Sequence, residues 1–238
     1  SIGLSVFPSV AVEIDSLTIS NRKGKGFSSR PFVSLDRLVL SVHLAPLLKG
    51  KVEIPTVRLE RPVFLLEINK DGIRNYRMEK PQESTPDAGR VAVSTKAEES
   101  SFLLSNFEIV DGTVDYIDWQ ENSATTIKGL NHQMRIEMVP VVNRVSIEGR
   151  TSIAQLSYGT ATSATPLISN LRATLDLASV YEQDKDLLTF QRGNATLQDI
   201  PLKISGPVSN LTQIPEMNIV VGSDQVTIPQ LLSLVPKE

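Results

Sequence analysis

Apolar residues return at every second position through most of this chain, and that periodicity constrains the fold more than any motif does. Leu38, Leu40, Val42 and Leu44 recur at every second position, and Leu171, Ala173, Leu175 and Leu177 alternate with polar neighbours. A period of two sets such residues on one face of a β-strand. Composition points the same way: the 238 residues include 57 Val, Ile and Thr against 12 Ala, and branched side chains suit pleated surfaces whereas Ala marks helices. The expected fold class is mostly β and antiparallel. Helical sequence is too scant to cover so long a sheet, so the sheet must either close on itself or leave an apolar groove.

The strands can be followed along the chain. Val10, Val12 and Ile14 alternate, and the phase slips at Asp15-Ser16 to Leu17 and Ile19, the mark of a strand carrying a bulge. A basic, turn-rich loop follows at Asn21–Gly26. Residues 45–50 suit one helical turn ended by Gly50. Val52, Ile54, Val57 and Leu59 continue in strand period, Arg61-Pro62 reads as a turn, and Val63–Ile68 is apolar on both faces. Lys70-Asp71-Gly72 closes that strand. Residues 79–100 are polar and Pro-containing, the composition of a flexible linker or loop, so the chain divides into β regions at 1–78 and 101–238. In the second region, Phe107 and Ile109, the turn Asp111-Gly112, then Val114 and Tyr116 read as a hairpin. Later strands are expected at 126–139, 143–156, 169–180, 187–191, 195–205 and 214–221, and a short helix at 229–235. Thr56–Leu66 also resembles Asn106–Tyr116 at a spacing of 50, with Val57 matching Phe107, Leu59 matching Ile109, Pro62 matching Gly112 and Phe64 matching Val114. The repeat suggests one growing sheet.

The same composition excludes several functions. A net charge of −3 argues against general nucleic-acid binding. With no cysteine and two histidines, thiolate zinc sites, Cys nucleophiles and His-rich metal centres are ruled out. Phosphate loops, nucleophile elbows and EF-hand loops are absent. His43 and His132 read as surface or edge residues. Asp111, Asp115 and Asp118 could hold a hard cation, but a solvated outer face explains them. No catalytic residue, metal or cofactor is expected, and the chain does not read as an enzyme. Arg22, Lys23 and Lys25 in the basic loop are candidates for contact with anionic headgroups, although a solvated turn accounts for them as well.

Three stretches resemble the AsmA-like family of bacterial envelope proteins: 7–21 with Gly26-Phe27 after it, 35–76 with its Pro-Leu-Leu turn and Asp-Gly…Asn-aromatic turn, and 103–130. The C-terminal segment from Ile204 is similar too. The resemblance implies a curved sheet forming an open, apolar-lined trough or partial barrel. It also implies a periplasmic body anchored to the inner membrane by an upstream helix, and a role in phospholipid transport and outer-membrane homeostasis. The implied partner is a phospholipid or other acyl lipid, with envelope proteins as further partners and no nucleic acid. Within that picture, Val12, Ile14, Leu38, Leu40, Val42, Val57, Leu59, Phe64, Leu66 and Ile68 are the residues expected to line the groove, with a sealed core as the competing arrangement. The alternative function is a scaffold that assists outer-membrane protein assembly through protein contacts.

Overall fold

The computed structural model describes residues 2–6, 9–24, 26–43, 52–77, 102–139, 143–212, 214–224 and 226–233. The expected turn at 45–50 and the linker at 79–100 lie outside them. Fourteen strands form one sheet: β1 (Ile2–Val6), β2 (Ser9–Ile19), β3 (Val33–His43), β4 (Val52–Glu60), β5 (Val63–Ile68), β6 (Phe102–Asp118), β7 (Ser123–Val139), β8 (Arg144–Gly159), β9 (Ile168–Glu182), β10 (Leu187–Leu197), β11 (Ile200–Ser205), β12 (Pro207–Ser209), β13 (Glu216–Met217) and β14 (Val220–Gly222). The order runs β1-β2-β3-β4-β6-β7-β8-β9-β10-β11-β14, with β5 continuing the line of β4, and the end strands do not meet. The sheet is therefore an open trough and not a barrel. Among the described residues one short α-helix, α1 (Ile228–Ser233), begins one residue before the expected Pro229. Gln230 Oε1 accepts from both the amide and the hydroxyl of Thr227, half of a capping box, and its Nε2 reaches the Asp199 carbonyl.

All pairings are antiparallel except those of β6 with β4 and β5. Here the 50-residue repeat acquires its meaning. Val57 pairs with Phe107, Leu59 with Ile109, Phe64 with Val114 and Leu66 with Tyr116, so the sequence repeat is the register of a parallel seam. The expected hairpin at Asp111-Gly112 does not form. β6 runs 17 residues straight through it, because Asp111 takes a left-handed conformation as a kink inside the strand (φ 53°) and does not reverse the chain. Arg61-Pro62 is likewise no turn: the Arg61 amide bonds to the Val110 carbonyl at 2.8 Å, and the Thr113 amide to the Pro62 carbonyl at 2.7 Å, so the ladder carries on across it. Two later expectations also move. The strand expected to break after residue 191 continues to Leu197 through a bulge between Phe190 and Arg192, and the reversal falls at Gln198-Asp199.

The kinks line up. Ser16 in β2, Arg61 between β4 and β5, Asp111 in β6, Gly129 in β7 and Asn170 in β9 all have positive φ. Ser16 lies opposite Asp36, since Asp15 pairs with Arg37 and Leu17 with Leu35; Arg61 flanks the same residue from the other side. Gly129 falls where the β6–β7 register shifts, and β8 shifts against β9 between Ile153 and Leu156. Each irregularity bends its strand and adds twist. Together they crease the sheet between β2 and β9.

Core packing is sparse. Among the described residues only nine apolar side chains are buried: Val33, Leu35, Pro62, Leu65, Ile68, Val145, Ala178, Ile200 and Val208. The tightest region is around β5, where Leu65 and Glu67 are fully buried on the face opposite Phe64 and Leu66. Glu67 Oε2 accepts from Asn21 Nδ2 at 2.7 Å and from the amide and hydroxyl of Ser28 at 3.2 and 3.0 Å. Asn75 accepts from the Glu67 amide and donates to the Leu65 carbonyl and to Asn21 Oδ1. This network closes the Asn21–Pro31 loop and the 69–77 turn onto one face of β5.

Candidate functional site

Residues paired across a ladder share a face of the sheet, so the register can be read as rows. One row runs Ile14, Leu38, Leu59, Ile109, His132, Thr151, Leu175, Ala195. The next runs Val12, Leu40, Val57, Phe107, Met134, Gly149, Leu177, Gly193. Beyond the crease, Phe64, Val114, Ile127, Leu156 and Leu171 form a third row. These rows make a mostly apolar face that crosses eight strands.

Among the described residues no second layer covers this face. Of the ten expected groove residues, Val12, Ile14, Leu38, Leu40, Val42, Val57, Leu59, Phe64 and Leu66 are all half-buried. Neighbouring side chains shade them on the sheet without enclosing them. Ile68 differs. It is 7% exposed, closed in where its backbone bridges to Arg74 and accepts from the Trp119 amide. The register extends the face beyond those ten to Phe107, Ile109, Met134, Leu175 and Leu177. Their alternation was visible in the sequence, but reading Asp111-Gly112 as a reversal separated Phe107 and Ile109 from the strand they belong to.

The opposite face is a ladder of charge. Arg37 pairs with Glu13 and lies 4.0 Å from Asp15, Arg58 bridges Glu60 and Glu108 at 3.1 and 3.0 Å, and Asp176 sits between Arg192 and Arg150 at 3.0 and 3.3 Å. Hydrogen bonding and charge from Glu13 push the Arg37 guanidinium up. The hydrogen bond from Arg192, reinforced by Arg150, holds the Asp176 carboxyl below the usual carboxylate range. Exposed pairs of this kind are screened by solvent and add little to stability. Their larger effect is to keep this face in water, which distinguishes it from the apolar one.

Among the headgroup candidates, Arg22 is half-buried and its guanidinium donates to the Arg77 carbonyl, tying the loop to the 69–77 turn. Lys23 is exposed, and Lys25 lies outside the described residues. Through Asn21 and Ser28 the loop packs on the Glu67 face of β5, the side opposite Leu66. A cavity of about 400 Å³ lies under it, lined in part by Arg22, Lys23, Phe27 and Ser28.

The three aspartates do not converge. Asp111 is exposed, and Asp115 takes the Thr126 hydroxyl at 3.0 Å and pairs with Arg30. Asp118 departs from the expected solvated face: it is 8% exposed and accepts the amides of Gln120 and Glu121, capping the reversal into β7. Among the described residues no cluster of three His, Asp or Glu side chains could hold a metal ion. His43 is exposed at the end of β3. His132 is not an edge residue as expected; it stands on an interior strand, its Nδ1 2.9 Å from Thr151 Oγ1 and its ring centroid 5.9 Å from that of Phe107. Burial lowers its pKa, which favours the neutral ring.

The sequence profile of the AsmA family matches residues 1–201. No curated protein matches the chain. Among the described residues no helix is long and apolar enough to cross a membrane.

Proposed function

The chain belongs to the AsmA family, an envelope-associated group, and from this and its uncovered apolar face we propose that it is a non-enzymatic lipid-binding or lipid-transfer module. In this reading it stands in the periplasm, joined to the inner membrane by a helix upstream of Ser1, and contributes to phospholipid transport and outer-membrane homeostasis. The observation that carries the proposal is the pair of rows through Leu40 and Leu59, apolar and half-buried across strand after strand, with charge confined to the other face. An acyl chain laid along such rows leaves water at about 0.8 kcal/mol per methylene, so ten methylenes give about 8 kcal/mol before the costs of binding. Headgroups remain in solvent.

Native mass spectrometry of the purified protein after incubation with phosphatidylethanolamine and phosphatidylglycerol vesicles tests this. The wild type should carry lipid. Leu40→Asp should lose it while retaining the β-sheet circular dichroism of the wild type. A wild type that never carries lipid, together with a Leu40→Asp variant that unfolds, would mean that the face is a core and would overturn the reading.

A second reading, a scaffold for outer-membrane protein assembly, draws on the C-terminal end of the sheet. Ile214, Met217, Val220 and Ile228 are 84%, 72%, 62% and 74% exposed there. If protein contact is the function, charges at Ile214 and Met217 should abolish partner capture and leave lipid loading unchanged.

A further inference from the structure

The apolar row through Leu38 and Leu59 is interrupted at one place, where His132 and Thr151 stand side by side on β7 and β8. Apolar residues flank them along the row, Ile109 before and Leu175 after. In the adjacent row the position next to Thr151 is Gly149, and a Cβ there would lie 3.9 Å from His132 Cε1. Between Met134 and Leu177 the trough floor thus has a notch with no side chain, and the imidazole borders it.

The Nδ1 atom is engaged by Thr151 Oγ1 at 2.9 Å. Among the described residues Nε2 makes no hydrogen bond, and it is not sealed from solvent. In the tautomer in which the Thr151 hydroxyl donates to Nδ1, the ring's proton resides on Nε2, which is then a donor aimed away from Thr151. A polar pair of this kind on a lipid-facing surface costs desolvation unless it is used.

We infer that His132, positioned by Thr151, is a hydrogen-bonding station for the acyl-ester carbonyl of a lipid held in the trough, with the Gly149 notch admitting the ester. This rests on the lipid-binding reading and specifies which part of the ligand the protein recognises. A neutral imidazole suits an uncharged carbonyl better than a phosphate, which calls for a cation. The rows around the station carry no Lys or Arg. The apolar residues on either side match acyl chain, so the ester is the polar group that reaches this depth while the headgroup stays in water.

The test is competitive loading of the purified 238-residue chain from vesicles holding equal amounts of diacyl and dialkyl-ether phosphatidylethanolamine, read by native mass spectrometry. The wild type should favour the diacyl lipid on the order of fivefold, the worth of one neutral hydrogen bond. His132→Leu should load both lipids equally, Thr151→Val should weaken the preference, and His132→Gln, which restores an N–H donor, should recover part of it. Equal loading by the wild type, or full ester preference in a folded His132→Leu protein, overturns this inference and leaves lipid binding standing. If oleate displaces the diacyl lipid from the wild type but not from His132→Leu, the station recognises a free carboxylate and the ester assignment is wrong. If neither lipid loads on the wild type, the lipid-binding reading itself fails, and the station with it.

Discussion

Arg61 and Asp111 stand opposite one another across a parallel seam, fifty residues apart, and each holds a left-handed backbone, with φ of 45° and 53°. The two strands kink at the same level, so the ladder between them survives the kink. Neither residue has the freedom of glycine. Holding an L-residue in this region costs roughly 1–2 kcal/mol, and Asp tolerates it better than most.

That cost is testable at Asp111, whose side chain is exposed and whose amide is bonded to Asn131 Oδ1. Asp111→Gly should stabilise the protein by about 0.5–1 kcal/mol in urea unfolding, and Asp111→Val should destabilise it by about 1–2 kcal/mol. Equal stabilities for the two variants would show that the kink carries no strain.

Gly129 occupies the same line on β7 with φ 62°, and a Cβ placed there would come within 2.6 Å of the Ala154 Cβ. Gly129→Ala should cost about 1–3 kcal/mol. Adding Ala154→Gly should return only the part due to the clash, because the backbone penalty remains. Complete rescue in the double variant would place the whole cost in packing.

Asn75 satisfies three partners around β5, of which the Glu67 amide and the Leu65 carbonyl are buried. Asn75→Ala leaves the Glu67 amide and the Leu65 carbonyl short of one bond each and should cost about 2–4 kcal/mol. The first visible effect should be release of the Asn21–Pro31 loop, seen as earlier proteolysis within it. Unchanged cleavage there would show that the loop is held by other contacts.

His132 makes stability depend on pH. Its folded-state pKa is lowered by burial, so the unfolded chain takes up a proton that the folded one resists. Well above the ordinary histidine value of about 6.5 both states are neutral and the residue contributes nothing. As pH falls through that value stability should decline, and the decline should level off below the folded pKa. His132→Leu should flatten the urea midpoint between pH 7.5 and 5. Asp176 titrates in a separate, more acidic window: its carboxyl is depressed in the fold, so its contribution is present above the ordinary carboxylate value and lost as pH drops through the folded one. An unaltered slope in His132→Leu would remove the histidine from the account.

The β class and most strand positions were legible because period two is a local signal, whereas an open face and a sealed core share that period and it could not choose between them. The slip at Asp15-Ser16 marked a real irregularity, but not the expected bulge: Ser16 is left-handed while β2 and β3 stay paired residue for residue through it. What misled was chemistry that two structures share. Asp-Gly favours left-handed backbone whether the chain reverses or only kinks, so Asp111-Gly112 looked like a hairpin while the 50-residue repeat, which encodes a parallel register, lay beside it unexplained. Arg61-Pro62 failed for the same reason. Parallel pairing joins segments far apart in sequence, and no local pattern reports it. Asp118 was misplaced because an aspartate that caps a turn and one facing water look alike in sequence. His132 was underrated because its row exists only after β6, β7 and β8 are aligned.

The crease also separates two quantities that are usually bound together in a sheet. In regular β-structure, adding one residue turns every later side chain to the other side. Here Ile14 and Leu17 are three apart, Leu59 and Phe64 five, Ile109 and Val114 five. Each of these odd intervals contains one kinked residue, Ser16, Arg61 or Asp111, which occupies a place in the chain but none in the alternation. It behaves like a silent letter, lengthening the word without changing how the rest is pronounced. Taking these residues out of their strands together would straighten the sheet there and leave inside and outside unchanged. Taking it out of one strand alone would set that strand against the ladders on both sides. The curvature of the trough is therefore a shared spelling of adjacent strands, independent of the choice of residues that line it.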